Sequence, residues 1–387
     1  MDNIAIVVVA YNRTDSLKRL LGSLEGVDYM GRPTDLIISV DKSANDVVER
    51  FAEDVKWNHG MKRLAFHKEN LGLKKHVLSI GGYLEEYDAV VVLEDDLTVS
   101  TNLMRYAIET VARYKDNPVI AGISLYSFNV NYQTNLPFIP LASDSDVYFM
   151  NCAMSWGQIW MRQSWRDFYA WYQNNSSPFS DLPNIPSSIN NWNDKSWLKY
   201  HTRYCIENDK FFVYPYNSIT TNNADAGIHV SSRNSLFQVP VSNIKKEGFK
   251  LIDPGEDAVR YDGFFEALHV FHFLPEYGNN LGVNLYGQKK AIDKRFILTS
   301  ESLPYKIVRS YGIAYKPIEM NVLMGMEGKD LFLYDTSEAG PAPKPMDRKT
   351  AFDYWFGDAF RQYFRIFGKL RGYIFVIGYS VKRLFSR

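Results

Sequence analysis

Cysteine is nearly absent: Cys152 and Cys205 are the only two in 387 residues. That scarcity excludes a disulfide framework and a cysteine-built metal cluster, and it sets the expectation of a reducing compartment. Net charge is absent as well, since 44 basic residues balance 44 acidic ones. No basic, aromatic-interleaved module of the kind that reads nucleic acid is present, so no nucleic-acid partner is expected. There is no internal repeat. The chain opens without a basic segment leading into a signal-type apolar core, from which a cytoplasmic location is expected. What remains, 46% apolar and 23% charged residues, describes a globular chain long enough for two domains.

The strongest positive feature is Ala89 to Leu97, an apolar run that ends in three consecutive carboxylates, Glu94, Asp95 and Asp96. Near-continuous apolar runs are strands covered on both faces, and open α/β sheets bind ligands beyond the carboxyl ends of such strands. Adjacent carboxylates repel unless a cation shares them, and hard Mg²⁺ or Mn²⁺ ions take oxygen ligands together with substrate phosphates. A metal-bound diphosphate is one reading; a solvated acidic turn capping the next helix is the other.

The preceding residues alternate strand and helix signals in a βαβ rhythm. Ile4 to Ala10 reads as a buried strand closed by Tyr11-Asn12-Arg13, and Thr14-Asp15-Ser16 starts a helix with Leu17, Leu20, Leu21 and Leu24 on one face. Leu36 to Val40 is a strand ending at Asp41, Leu64 to His67 a short one, and Leu71 to Leu84 a helix. In a parallel sheet with right-handed crossovers, Tyr11 to Arg13, Asp41 and Glu94 to Asp96 share one edge.

With Val7 to Arg13, Asp41 and Val91 to Leu97 in place, the chain resembles glycosyltransferases of the GT-A fold. The likeness is to the inverting family 2 and to the N-acetylglucosaminyltransferase I group, with Glu94 to Asp96 standing where the family has D-x-D. The resemblance implies an α/β, Rossmann-like nucleotide-sugar domain, a Mn²⁺ or Mg²⁺ cofactor and a UDP-sugar donor. It places Ala10, Tyr11, Asn12, Arg13 and Asp41 around base and ribose, Glu94 and Asp95 near the donor, and Asp96 on the metal. No glycine-rich phosphate loop follows the first strand, which fits a fold whose metal holds the diphosphate.

Ala153 to Trp160 is similar to the family's S-W-G-x-x-x-W segment, one residue short, and implies Trp156 at the donor pocket; an aromatic core residue is the alternative. Asn191 to Trp197 matches a D-x-x-W element and implies Asp194 as the base that takes the acceptor proton. A surface acid in an Asn-rich loop is its alternative, with Asp181 and Glu207 held in reserve. His229 follows an Asn- and Gly-rich loop, and the resemblance implies a metal contact for it. His269 and His272 have no third ligand and read as structural.

Residues 170–200, rich in Asn, Ser and Pro, suit a mobile acceptor loop. The expected division is 1–250 for the GT-A domain, 251–338 for an accessory α+β region, and 339–387 for a stiff linker and an amphipathic helix. From Lys344 to Arg387 ten basic residues face three acidic ones, and Phe352, Phe356, Phe360, Tyr363 and Phe367 recur at steps of three and four. Within it the apolar run Tyr373 to Tyr379 has only seven residues, far short of the ~20 that span a bilayer. An aromatic, basic amphipathic helix points to an anionic membrane surface, and packing on the chain itself or on a second copy is the alternative.

The functional expectation is a peripheral enzyme on the inner membrane face that transfers a sugar to a glycan acceptor, lipid-linked, in surface-polysaccharide assembly. A sugar-phosphate nucleotidyltransferase and a non-catalytic glycan-binding module are the competing classes.

Overall fold

The structure is a computed structural model that describes residues 2–225, 235–255, 257–268 and 272–366, with side chains up to 357. The first half runs β1 (Ile4–Ala10), α1 (Thr14–Glu25), β2 (Leu36–Val40), α2 (Val47–Asp54), β3 (Lys62–Phe66), α3 (Gly72–Ser79), β4 (Ala89–Glu94), β5 (Leu97–Val99), α4 (Leu103–Tyr114) and β6 (Ile120–Ser124). A small hairpin, β7 (Val130–Asn131) and β8 (Leu136–Pro137), is followed by β9 (Val147–Met150), β10 (Gln158–Met161), α5 (Arg162–Asn175), α6 (Ser187–Asn190), α7 (Trp197–Glu207), β11 (Phe211–Pro215), β12 (Thr220–Asn222) and β13 (Arg260–Tyr261). The remainder holds β14 (Leu281–Asn284), β15 (Phe296–Thr299), β16 (Tyr305–Tyr311), α8 (Glu319–Leu323), β17 (Leu331–Ala339) and α9 (Arg348–Ile366).

Nine strands form one mixed sheet in the order β13-β9-β11-β6-β10-β4-β1-β2-β3. One end of it, β4-β1-β2-β3, is parallel, as the βαβ rhythm requires. Successive β1 side chains enter opposite faces: Ile6 and Val8 pack with α1 and α4, while Val7 and Val9 pack with α3, α5 and α7. Burial on both faces is why β1 and β2 read as unbroken apolar runs and match the expected limits residue for residue. Strand β10 runs antiparallel between β4 and β6, so its start arrives at the edge where β4 ends.

Several expectations need correction. Strand β3 starts at Lys62, two residues early, because it is the sheet's edge and half-exposed. The run from Ala89 does not reach Leu97: the strand stops at Glu94, Asp95 and Asp96 turn, and β5 pairs instead with β12. The Asn-rich segment is not a loose loop. Helix α5 extends to Asn175, and Asn190 staples the chain through bonds with Leu182 and Ile185.

A second, four-stranded sheet, β14-β15-β17-β16, packs Leu281, Val283, Leu298, Leu331 and Leu333 into the same apolar cluster as Tyr148 and Tyr261 of the main sheet and Phe265 in the bend after β13. Helix α9 docks here: Trp355 stacks on Tyr286 at 5.9 Å and the Tyr354 hydroxyl donates to Tyr315 O at 2.6 Å. The expected single amphipathic face is broken at Gly357, whose φ of +53° and ψ of −152° leave helical space, a conformation open chiefly to glycine.

Between the two sheets lie Glu266 and Glu319, both fully buried; both Glu319 carboxyl oxygens and Glu266 Oε2 have no hydrogen-bond partner. Burial pushes Glu319 up to about 8 and Glu266 to about 7. The unfolded chain gives up these protons near 4.5, so the fold loses stability as pH rises from there through the folded values. Buried His76 and His201, pushed down to about 4 and about 3, oppose this only below their ordinary 6.5. Melting temperature should therefore fall by about 2–4 °C between pH ~6.5 and ~8.5, and Glu319→Gln should flatten that slope and raise the melting point at the alkaline end. Calorimetry across that window checks it; a melting point that rises with pH would contradict it.

Candidate active site

Side-by-side pairing of Val9 with Glu94 brings the ends of β1 and β4 together, and the Asp41 N–H donates to Ala10 O at 3.0 Å, adding the end of β2. Ala10, Tyr11, Asn12, Arg13, Asp41, Glu94, Asp95 and Asp96 therefore meet on one edge. Ala10 is buried and contributes backbone; Tyr11 is half-exposed and Asn12 exposed.

Arg13 binds two of the three carboxylates. Its Nη1 donates to Asp96 Oδ2 at 2.9 Å and its Nη2 to Asp95 Oδ1. Asp95 is 3% exposed and also accepts the Tyr11 backbone N–H. Burial lifts Asp95 to about 6 against the pull of Arg13. Glu94 is pushed up to about 8, first by burial and then by the charges of Asp96 and Asp95. Asp96 Oδ1 is buried and has no hydrogen-bond partner.

Asp41 lies where expected but is heavily engaged. Its oxygens accept the N–H groups of Lys42, Leu71 and Gly72 at 2.9, 2.8 and 3.0 Å, which fixes the start of α3. Two residues earlier, on β2, Ser39 contacts His76 Nε2 at 2.8 Å and His67 Nε2 at 3.4 Å. Sequence reading passed over this group, although Ser39 and Asp41, polar at a spacing of two in an apolar strand, mark one face.

Trp156 lies just ahead of β10, whose first residue, Gln158, pairs with Val92 near the end of β4. It is half-buried, edge-on to Tyr126 at 4.8 Å and tilted against Phe237 at 5.2 Å. Gly157, with φ of +96°, makes this turn, and a Cβ there would press on Thr220 and Leu125. On the other side, Asn223 donates to Asp96 O from its N–H at 2.9 Å and its Nδ2 at 3.0 Å. Asp225 accepts from Ser16 Oγ at 2.8 Å and from Arg19. His229 lies outside the described residues, as does His269.

Asp194 is tied to the same edge through α3: its backbone O accepts Lys74 Nζ at 2.7 Å, two residues past Gly72, which Asp41 caps. Its Oδ1 accepts Lys199 Nζ at 2.8 Å, and its side chain remains 46% exposed. Lys199 itself is 1% exposed and also donates to Phe179 O, Asn190 O and Trp192 O at 2.6, 3.1 and 2.8 Å. The reserve residues are not brought in: Asp181 is 92% exposed beside Lys290, and Glu207 pairs with Arg203 at the opposite end of α7 from Asp194.

Among the described residues no group of three His, Cys, Asp or Glu side chains is placed to hold a cation. An all-protein cage is thus missing, but the unpartnered Asp96 Oδ1 is a hard oxygen ligand, and Mg²⁺-type ions are commonly held by one or two carboxylates plus substrate phosphates. The residues fit a cation bound in that manner.

No protein-family model and no curated protein matches the chain. Solved structures overlap it in part: residues 1–349 of S. aureus TarS at 12% identity and a TM-score of 0.36, covering 56% of this chain and 59% of that one. The mannosyltransferase PcManGT from Pyrobaculum calidifontis, in complex with GDP-Man and Mn²⁺, gives 11%, 0.33, 56% and 57%. GalNAc-T7 with UDP, GalNAc and Mn²⁺ gives 14%, 0.36, 56% and 43%. The chain thus covers less than two thirds of each of these structures.

Lys199→Met would leave three carbonyls without a donor, at a cost of about 2–4 kcal/mol. Hydrogen exchange should show amides 179–194 losing protection ahead of the sheet; unchanged protection would mean the ammonium does not pin this segment.

Proposed function

We propose that the chain is a metal-dependent glycosyltransferase that moves a sugar from a nucleotide-sugar, with UDP as the nucleotide, to a hydroxyl of a glycan acceptor with inversion. One observation carries this reading: the carboxylates at the end of β4 meet the Tyr11 to Arg13 turn, with Asp96 Oδ1 unpaired beside a guanidinium. Such an edge suits a diphosphate, which brings the negative charge that Arg13 can bind and the oxygens that complete a cation's shell.

In this reading Asp96, with the donor's phosphates, holds Mn²⁺ or Mg²⁺, which when bound stabilises the departing diphosphate. Tyr11, Asn12 and Arg13 line the nucleotide side, and Asp41 acts by fixing the start of α3 beneath it. Trp156, just ahead of β10, borders the sugar. Asp194 serves as base. Its Oδ1 is oriented by Lys199, and its exposure lets an acceptor hydroxyl approach and give up its proton as the oxygen attacks the anomeric carbon. His229 is proposed as a further contact to the cation.

The nucleotidyltransferase alternative wants a glycine-rich loop after β1, and Tyr11-Asn12-Arg13-Thr14 stands there instead. A non-catalytic glycan-binding module differs in turnover, which the base variant addresses.

The acceptor is proposed to be lipid-linked and the chain peripheral on the inner face of a membrane, on the strength of the basic aromatic tail. Among the described residues no helix is long and apolar enough to cross a membrane. Because Tyr354 and Trp355 are docked, the membrane segment in this reading begins after Gly357.

Two experiments test these readings. With UDP and Mn²⁺ in a calorimeter, Asp96→Ala should bind without metal dependence, whereas Asp194→Asn should bind normally and transfer ~10²–10⁴ times more slowly. Equal UDP affinity in Asp96→Ala and wild type, or full turnover in Asp194→Asn, would refute the respective role. A chain ending at Gly357 should stay folded and lose salt-sensitive sedimentation with anionic liposomes; an intact chain that ignores them would refute the membrane reading.

A further inference from the structure

We propose that Arg13 is a built-in counter-cation that excludes a free metal ion from Asp96 and moves onto phosphate when the donor arrives, so that cation and nucleotide bind only together. This rests on the metal-dependent reading of the same site and adds the residue that couples the two ligands.

The argument begins with backbone placement. Arg13 occupies the residue just before α1, and its O accepts the Leu17 N–H at 3.0 Å, so its main chain is fixed while the side chain spans to β4. The two contacts it makes differ in access. Asp95 is 4% exposed at its side chain and forms the anchored end; Asp96 is 18% exposed and Arg13 itself 27%, so the Asp96 end is open to a ligand.

The oxygen of Asp96 left for a cation, Oδ1, belongs to the carboxyl group whose Oδ2 already receives Nη1 at 2.9 Å. A dication on that carboxylate would stand a few ångströms from the guanidinium, and repulsion between them in a partly desolvated site opposes its entry. A diphosphate reverses the balance. It supplies oxygens to the cation and, in the same step, an acceptor for the planar fork of Arg13, which suits phosphate at least as well as carboxylate. Arg13 then leaves Asp96 and keeps Asp95, and nothing buried is left without a counter-charge.

Electron paramagnetic resonance of Mn²⁺ tests this without turnover, on wild type, Arg13→Met and Arg13→Lys, each with and without UDP. Wild type should take up Mn²⁺ poorly alone and well with UDP. Arg13→Met should bind Mn²⁺ alone about tenfold tighter or more, with most of the UDP effect gone. Arg13→Lys, a point charge that reaches one carboxylate and not both, should fall between and serves if the Met variant, with Asp95 unpaired, fails to fold. If UDP recruits Mn²⁺ to wild type but neither variant binds the free ion more tightly, the role of Arg13 is overturned and the metal reading stands. Wild type that binds Mn²⁺ equally well without UDP overturns the coupling. Wild type that takes no Mn²⁺ even with UDP removes the metal reading and this inference with it.

Discussion

Three carboxylates at the end of one strand are an electrostatic problem, and the fold around them is arranged by how that problem is relieved. A single guanidinium bridges Asp95 and Asp96, the Tyr11 amide adds a bond to Asp95, and Glu94 is left beside them with its proton held more tightly. This requires the β1–α1 turn to lie against the end of β4, which in turn requires β1 and β4 to be parallel neighbours. The order of the parallel strands and the chemistry at their carboxyl ends are thus one constraint seen at two scales.

Lys199 plays a comparable part for the segment that carries Asp194. An ammonium buried on α7 gathers three carbonyls from the Asn-rich segment and one carboxylate oxygen, converting a stretch with few apolar residues into an ordered wall. Polar bonds to one central donor substitute there for a hydrophobic core.

What could be read beforehand follows from which residues are buried by local pattern and which by distant partners. Strands β1 and β2 were legible to the residue because both faces are covered, and the shared edge of Tyr11 to Arg13, Asp41 and Glu94 to Asp96 followed from them. Strand β3 slipped by two residues because Lys62 and Arg63, on an exposed edge, carry no apolar signal. Helix α2 went unread behind Ser43-Ala44-Asn45-Asp46, which resembles a loop. That Asp41 would spend its oxygens on Leu71 and Gly72 depends on a segment 30 residues away, and that Lys199 would be the most enclosed lysine near the site depends on carbonyls in the irregular segment before it; neither has a local signature.

The apolar cluster that joins the two sheets bears on how this chain can vary. Leu281, Val283, Leu298, Leu331 and Leu333 share their neighbours with Tyr148, Tyr261 and Phe265, and β13 stitches residues 260–261 into the main sheet. The second sheet is therefore not a cassette that could be exchanged by itself. Each half is the other's inner wall, so a change of side-chain volume on one side of this seam must be matched on the other, a demand that the loops at the carboxyl ends of β1, β2 and β4 do not share.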